Sequence, residues 1–450
     1  MMRFVLPFIP ALIIYGLTAC SKNPLPAKRD RTLVVPHSEQ ELLELLDDTA
    51  IMNGQLIGAA EISADGYYLP DPVLDTISPV IRNLYQWQKD VWDPVYMPAD
   101  WAVPYRRIFY ANRVLEGVSD TDSNSPRSKN LEGMAFFHRA YNHFLLAQLF
   151  AGSYQKATTD TDLGIPLKRA AHDSIVTRGT IGQTYACITA DLRKACRLLP
   201  PTQATSNRPC RAAASGLLAR VLVQMGAYNE ALYCVHTAIM ESGELMRFKD
   251  QDSVAIHPFG LNNSEILFYD AFSEGPAFDP ATSRVDTDLL RSYEPGDLRR
   301  AIYFKPVAQG TIFRGSYSGT DAPFCGIALD ELYLLRAECN ARLGNSATAL
   351  KDLNTLRRSR WEPEMFEPLQ ATDPQAVLDL VIAERRKEYY FRGLRWSDLR
   401  RLNLEPRYAH TINRATSGKQ VTLIPGDLNY ILPIPQQEII LSGIQQNTRR

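Results

Sequence analysis

Two stretches of this chain, 118 residues apart, follow one pattern, and that pattern limits the possible folds most. Leu217–Leu232 reads LLARVLVQMGAYNEAL, and Leu335–Leu350 reads LRAECNARLGNSATAL. In each, a glycine (Gly226, Gly344) closes an apolar helical run. An Ala-Leu pair (Ala231-Leu232, Ala349-Leu350) then falls five and six residues later, on the next run. Small residues let two helices cross closely, and glycine supplies the positive φ that a tight helix stop needs. A chain that does this twice is expected to be mainly α, built on antiparallel helix pairs.

That is the logic of tetratricopeptide units. The two units are not in tandem, and no strict ~34-residue period runs through the chain. The expectation is therefore a tetratricopeptide-like helix-pair scaffold interrupted by long inserted loops and short strands. Other helical runs fit it. Glu39–Asn53 is entered at Ser38. Asp100–Val118 places Trp101, Tyr105, Ile108, Ala111 and Leu115 on one face. Leu131–Phe150 is apolar enough to be buried on both faces, and Thr180–Leu199 is stopped by Pro200-Pro201. Helical units fall near 100–245 and 327–402. Residues 54–98 and 250–325 are rich in Pro, Gly and aromatics and read as loop-rich insertions, where binding surfaces usually sit.

The start of the chain has a different character. Arg3 precedes an uncharged run, Phe4 to Ala19, which ends in Leu17-Thr18-Ala19-Cys20. A positive start, a short apolar stretch and small residues at the cut make an export signal. Pro7 and Pro10 interrupt the run, which is short for a span of ~20 residues. The Leu-Thr-Ala-Cys end resembles the lipobox of bacterial lipoproteins, in which Cys20 carries the lipid. Residues 1–19 are thus expected to be a leader, 20–36 a proline-bearing tether, and 37–450 a single domain. More than one acyl chain on Cys20 would give stable anchoring in a lipid leaflet.

Composition and motifs exclude several function classes. The 49 Lys+Arg against 50 Asp+Glu give a net charge of -1, without the basic excess a nucleic-acid binder needs. There is no phosphate-binding glycine loop, no H-E-x-x-H and no G-x-S-x-G. His138 and His143 are five apart, a poor spacing for one helix face, so no metal or other cofactor is expected. Asp120-Thr121-Asp122-Ser123-Asn124 begins like a calcium loop but lacks its glycine, and reads as a polar connection. Cys187, Cys196, Cys210, Cys234, Cys325 and Cys339 read as mostly buried thiols with at most one or two disulfides.

One charged segment stands on an apolar stripe. Val377, Val381, Glu384, Glu388 and Phe391 share a helical face, with Arg385, Arg386, Arg392, Arg395, Arg400 and Arg401 around them. Buried carboxylates need hydrogen-bonded cations, and arginine supplies a planar fork. Glu384, Glu388, Arg395, Asp398 and Arg400 are therefore read as a structural charge cluster lidded by Trp396, and no residue is assigned a catalytic role.

Here the sequence resembles the SusD/RagB family of surface lipoproteins. Glu384–Leu402, ERRKEYYFRGLRWSDLRRL, follows its E-R-x-x-E-x-x-x-x-G-x-R-x-x-D-L-x-R pattern, and Leu432–Ile439 its closing L-P-I-P-x-x-E-I. Trp101 to Leu115, Glu132-Gly133 through Arg139-Ala140, Gly164-Ile165-Pro166-Leu167, and Tyr293, Asp297 and Arg299 also match. The chain departs from the family in its last residues and in having no acidic cluster after Cys20. The resemblance implies a SusD-like fold and a binding protein without catalysis. It further implies an outer-membrane location facing the exterior, a SusC-like TonB-dependent barrel as partner, and an oligosaccharide or sometimes a peptide as ligand.

The ligand residues do not follow from the family pattern. Sugars stack their C–H faces on aromatic rings. The expectation places the site at exposed rings of the inserted loops: Tyr67, Tyr68, Trp87, Phe272, Phe313 and Tyr317. Trp101 and Trp396 are expected in the core. Two rival readings are a lipid-anchored tetratricopeptide-type assembly scaffold and a lipid-anchored hydrolase using two carboxylates.

Overall fold

The computed structural model describes residues 38–119, 125–173, 176–260, 263–416 and 418–450. Cys20, the expected leader and Asp120–Asn124 lie outside the described residues.

The scaffold helices are α1 (Glu39–Asp47), α2 (Ala99–Val118), α3 (Pro126–Phe150), α4 (Ile181–Leu198), α5 (Arg211–Gln224), α6 (Tyr228–Met240), α7 (Leu329–Arg342), α8 (Ser346–Arg360), α9 (Pro374–Glu388) and α10 (Arg395–Leu402). Local sequence sets their ends. Ser38 and Glu41 form a capping box on α1, and Thr180 and Gln183 one on α4. Gly226 and Gly344 close α5 and α7 at φ 70° and 82°. The next residue then bonds back five positions, Ala227 N to Leu222 O and Asn345 N to Asn340 O. This satisfies carbonyls that the helix end would otherwise strand.

The helices pack in chain order, α2 on α3, α3 on α4, and so on to α9. The two patterned pairs, α5–α6 and α7–α8, meet where α6 packs on α7. The array that is broken in sequence is therefore continuous in space, and residues 241–328 leave and return without separating it. Helix α3 runs through the centre, with Phe137, His138, Tyr141, Asn142 and His143 fully buried.

Strands among the described residues pair two by two, antiparallel: Tyr67–Tyr68 with Arg284–Val285, Leu163–Pro166 with Arg178–Thr180, Ile266–Phe268 with Ile327–Ala328, Phe304–Val307 with Gly310–Phe313, and Ile412–Thr416 with Lys419–Leu423. The fold is mainly α.

Two local expectations change. The Glu39–Asn53 run breaks at Asp48, whose ψ is 82°. Asp47 is held by Arg208 at 2.7 Å, and the Asn53 amide donates to Tyr269 O at 2.7 Å, so two tertiary anchors pull the run apart. Phe391 is not on the α9 face. The helix ends at Glu388, and Phe391 sits at φ 52° in the turn before Gly393.

Candidate functional site

The signature segment is built from buried ion pairs. Arg299 holds Asp297 (2.7 Å), Glu384 (2.5 Å) and Glu388 (2.7 Å), all buried. Arg360 joins Glu388 to Glu265, each at 2.8 Å. Tyr317 donates to Glu265 at 3.0 Å, and Arg392 pairs with Asp330 at 2.7 Å. A second group links Arg385 and Arg401 to Asp398, and Arg401 to Glu338. Arg395 grips Asp65 through two bonds of 2.7 Å. The expected single cluster is thus three, and Arg400 belongs to none of them. Burial works against ionising Glu384, but the Arg299 guanidinium and then Lys387 hold its carboxyl down at about 2. A carboxyl held that low is ionised near neutral pH with no proton to deliver, and it is a weak base, which supports a structural role over a catalytic one.

The aromatic candidates are corrected by burial. Tyr67, Trp87, Phe272, Phe313 and Tyr317 are each under 8% exposed and cannot present a ring face to solvent. The rings of the insertions belong to the main core, continuous with the helices. Phe272 stacks on Phe278, and Phe313 packs on Tyr390 at 5.0 Å. Trp87 donates to Ser63 O and lies under Arg414. Tyr317 is part of the ion-pair network. Of the six, only Tyr68 is exposed, at 37%, beside the Val307–Gly310 turn. Trp101 and Trp396 are buried.

The six cysteines from Cys187 onward are free thiols. His143, Cys187 and Asp191 place one ligand atom each within 4.8 Å of one another. Arg139 already holds both Asp191 oxygens at 2.7 Å, and two guanidiniums, Arg139 and Arg169, oppose a dication there.

Several clefts open on the surface, two of them against α10. One, of about 690 Å³, lies between α9, α10 and the 405–410 turn. Its charged groups are committed to one another: Arg395 to Asp65, Arg407 to Asp379, Lys387 to Glu384. The other, of about 450 Å³, is bounded by three loops, around 152–163, 426–431 and 447–448, and by the end of α10. Leu404 (47% exposed), Gln155 and Thr448 stand at its rim. Asn403, which donates to the Tyr430 hydroxyl at 2.9 Å, and Arg400 line its floor. Its apolar edge and its amide and hydroxyl groups, beside Arg400, Asp162 and Asp427, fit a sugar better than a surface of closed ion pairs. Sequence reasoning missed this cleft, because its residues come from four separate segments with no common period.

Residues 34–223 match a SusD-like family described as starch-binding associating with outer membrane, and residues 305–448 match the SusD family proper. The chain belongs to the SusD/RagB family. Its fold is shared with solved structures of low sequence identity. A SusD superfamily protein from Bacteroides thetaiotaomicron is 20% identical with a TM-score of 0.76, covering 92% of this chain and 100% of that one. Another from Bacteroides vulgatus is 21% identical, with a TM-score of 0.74 and coverage of 92% and 99%. Surface glycan-binding protein A from Bacteroides fluxus is 20% identical, with a TM-score of 0.70 and coverage of 92% and 99%. No curated protein matches the chain in sequence. The SusD/RagB pattern residues Glu384, Arg385, Glu388, Arg395, Asp398 and Arg401 are those that build the ion pairs. Arg400 falls on a position that the pattern leaves open.

Proposed function

We propose that this chain is a lipid-anchored outer-membrane protein that captures a nutrient glycan and passes it unaltered to a SusC-like TonB-dependent barrel. Membership of the SusD/RagB family carries this reading. The loop cleft beside Leu404 and Tyr430 supports it, offering apolar C–H contact at the rim and amide and hydroxyl groups for orientation. Tyr68 is a second point of contact on the loop side. The anchor would be Cys20, which ends the lipobox-like Leu17-Thr18-Ala19-Cys20 run.

The test is titration calorimetry of the purified protein against a panel of oligosaccharides and peptides, with the supernatants analysed for products. The expected result is saturable glycan binding with no product, weakened by Leu404→Asp at the rim or by Tyr68→Ala. Turnover of any panel member, or binding of peptides alone, would overturn the reading.

A further inference from the structure

Among the described residues, every buried or half-buried arginine donates at least one hydrogen bond, with one exception. Arg386, in the last turn of α9, has a side chain only 31% exposed and donates none. Its nearest carboxylates are Asp65 at 3.6 Å and Asp286 at 3.7 Å, too far for a hydrogen bond. Both are engaged elsewhere. Asp65 takes two bonds of 2.7 Å from Arg395 and lies 3.2 Å from His410, and Asp286 accepts from Leu289 N at 2.8 Å.

Arg386 lines the wide cleft between α9 and α10 together with four other cations and three carboxylates. Of the carboxylates, Asp379 and Glu384 are held by Arg407 and Lys387, and Glu294 lies 3.6 Å from Arg357. Arg357 is buried and under-bonded too: its Nε has no partner, and its Nη1 donates to Glu367 O at 3.0 Å. The lining thus carries more positive charge than its own carboxylates take up. Beside it stand Leu369, Leu380, Ile382 and Tyr408, each half-buried.

A guanidinium fork left unbonded at an apolar wall matches a carboxylate through two parallel hydrogen bonds, and walls with an excess of one sign of charge concentrate its field. We propose that this cleft binds an organic carboxylate with an apolar body, the carboxylate on the Arg386 fork and the body along Leu380 and Ile382. A peptide C-terminus and a fatty acid share that chemistry. The cleft has no lining residue in common with the loop cleft, so it is a second site, independent of glycan capture.

The test titrates the purified full-length protein by calorimetry with two pairs of probes: acetyl-Ala-Leu-Phe with a free C-terminus and its amide, and octanoate and octanamide. The acid of at least one pair is expected to bind about tenfold or more tighter than its amide, as a charge-assisted hydrogen bond gives. The pair that shows it names the source of the carboxylate. Arg386→Gln should erase the difference. It should leave the thermal midpoint unchanged, because the fork bonds no group of the protein and its part-exposed ion pairs are loose. Ala383→Glu, one turn earlier on the exposed face of α9, sets a carboxylate beside the fork and should weaken the acid probe, whereas Ala383→Gln should not. Equal binding of acid and amide in both pairs, or an acid preference that survives Arg386→Gln, overturns the assignment. If Arg386→Gln also lowers the midpoint, the Ala383 variants decide, and equal acid binding by the two overturns it. Glycan capture stands in every case.

Discussion

Glu388 ties two buried cations together, accepting from Arg299 Nη1 at 2.7 Å and Arg360 Nε at 2.8 Å. Removing its charge leaves both guanidiniums under-matched where water cannot reach them. Glu388→Gln should lower the unfolding free energy by about 3 kcal/mol or more, the usual scale for breaking a buried pair. Urea denaturation measures the loss, and the folded fraction should retain its ligand affinity. A variant that unfolded like the parent but had lost its ligand would move Glu388 from scaffold to site. At this scale the sequence was readable in part. Two glutamates on an apolar helical stripe, ringed by arginines, announced a buried lattice. Glu265 and Asp330 were not foreseeable, because they come from an aperiodic loop and from another helix, more than fifty residues away. Lone arginines such as Arg178, Arg414 and Arg449 gave no signal either. Their partners are main-chain carbonyls, which every residue possesses and no motif records.

The helix pairs carry a sharper test of what their glycines do. A Cβ on Gly226 or Gly344 would meet nothing within 4 Å, so only the positive φ resists a side chain there. Gly226→Ala and Gly344→Ala should each cost about 1–2 kcal/mol, the left-handed penalty, without altering the packed structure. Gly216 is the contrast. It lies mid-helix, but its Cβ would stand 2.6 Å from Leu332 Cδ2. Gly216→Ala should therefore perturb the α5–α7 crossing itself, seen as a lower unfolding midpoint together with changed near-UV dichroism. The elements were the most legible level of the sequence, because apolar periodicity and caps act locally. The insertions were misread for a related reason. Pro- and Gly-rich segments with many rings read as exposed binding loops, yet their rings close on one another. Phe272, Phe278 and Phe313 pack with Phe391 into the main core, with no sequence period.

The whole molecule titrates from both sides. Against the opposing effect of burial, guanidiniums hold Glu384 at about 2 and Asp65, Asp330 and Asp398 below the usual carboxylate range. For these groups the folded pKa lies under the unfolded one. Their stabilisation is complete above roughly pH 4–5 and is lost as pH falls toward 2. Glu61 behaves in the opposite sense. Burial pushes its carboxyl up to about 8, although it accepts from Gly393 N at 2.8 Å, and burial pushes Asp100 up to about 6. A carboxyl whose folded pKa is raised gives stability that is full below the unfolded value and drains as pH climbs through the folded one. The thermal midpoint should therefore peak near pH 5 and decline on both sides. Glu61→Gln separates the two limbs, because a neutral amide can still accept from Gly393 N but has no proton to lose. The variant should melt like the parent at pH 3, where the ion-pair carboxylates govern, and several degrees higher than the parent at pH 8.5. Thermal denaturation across that range measures both limbs. A parallel decline of parent and variant above pH 6 would assign the alkaline limb to another group.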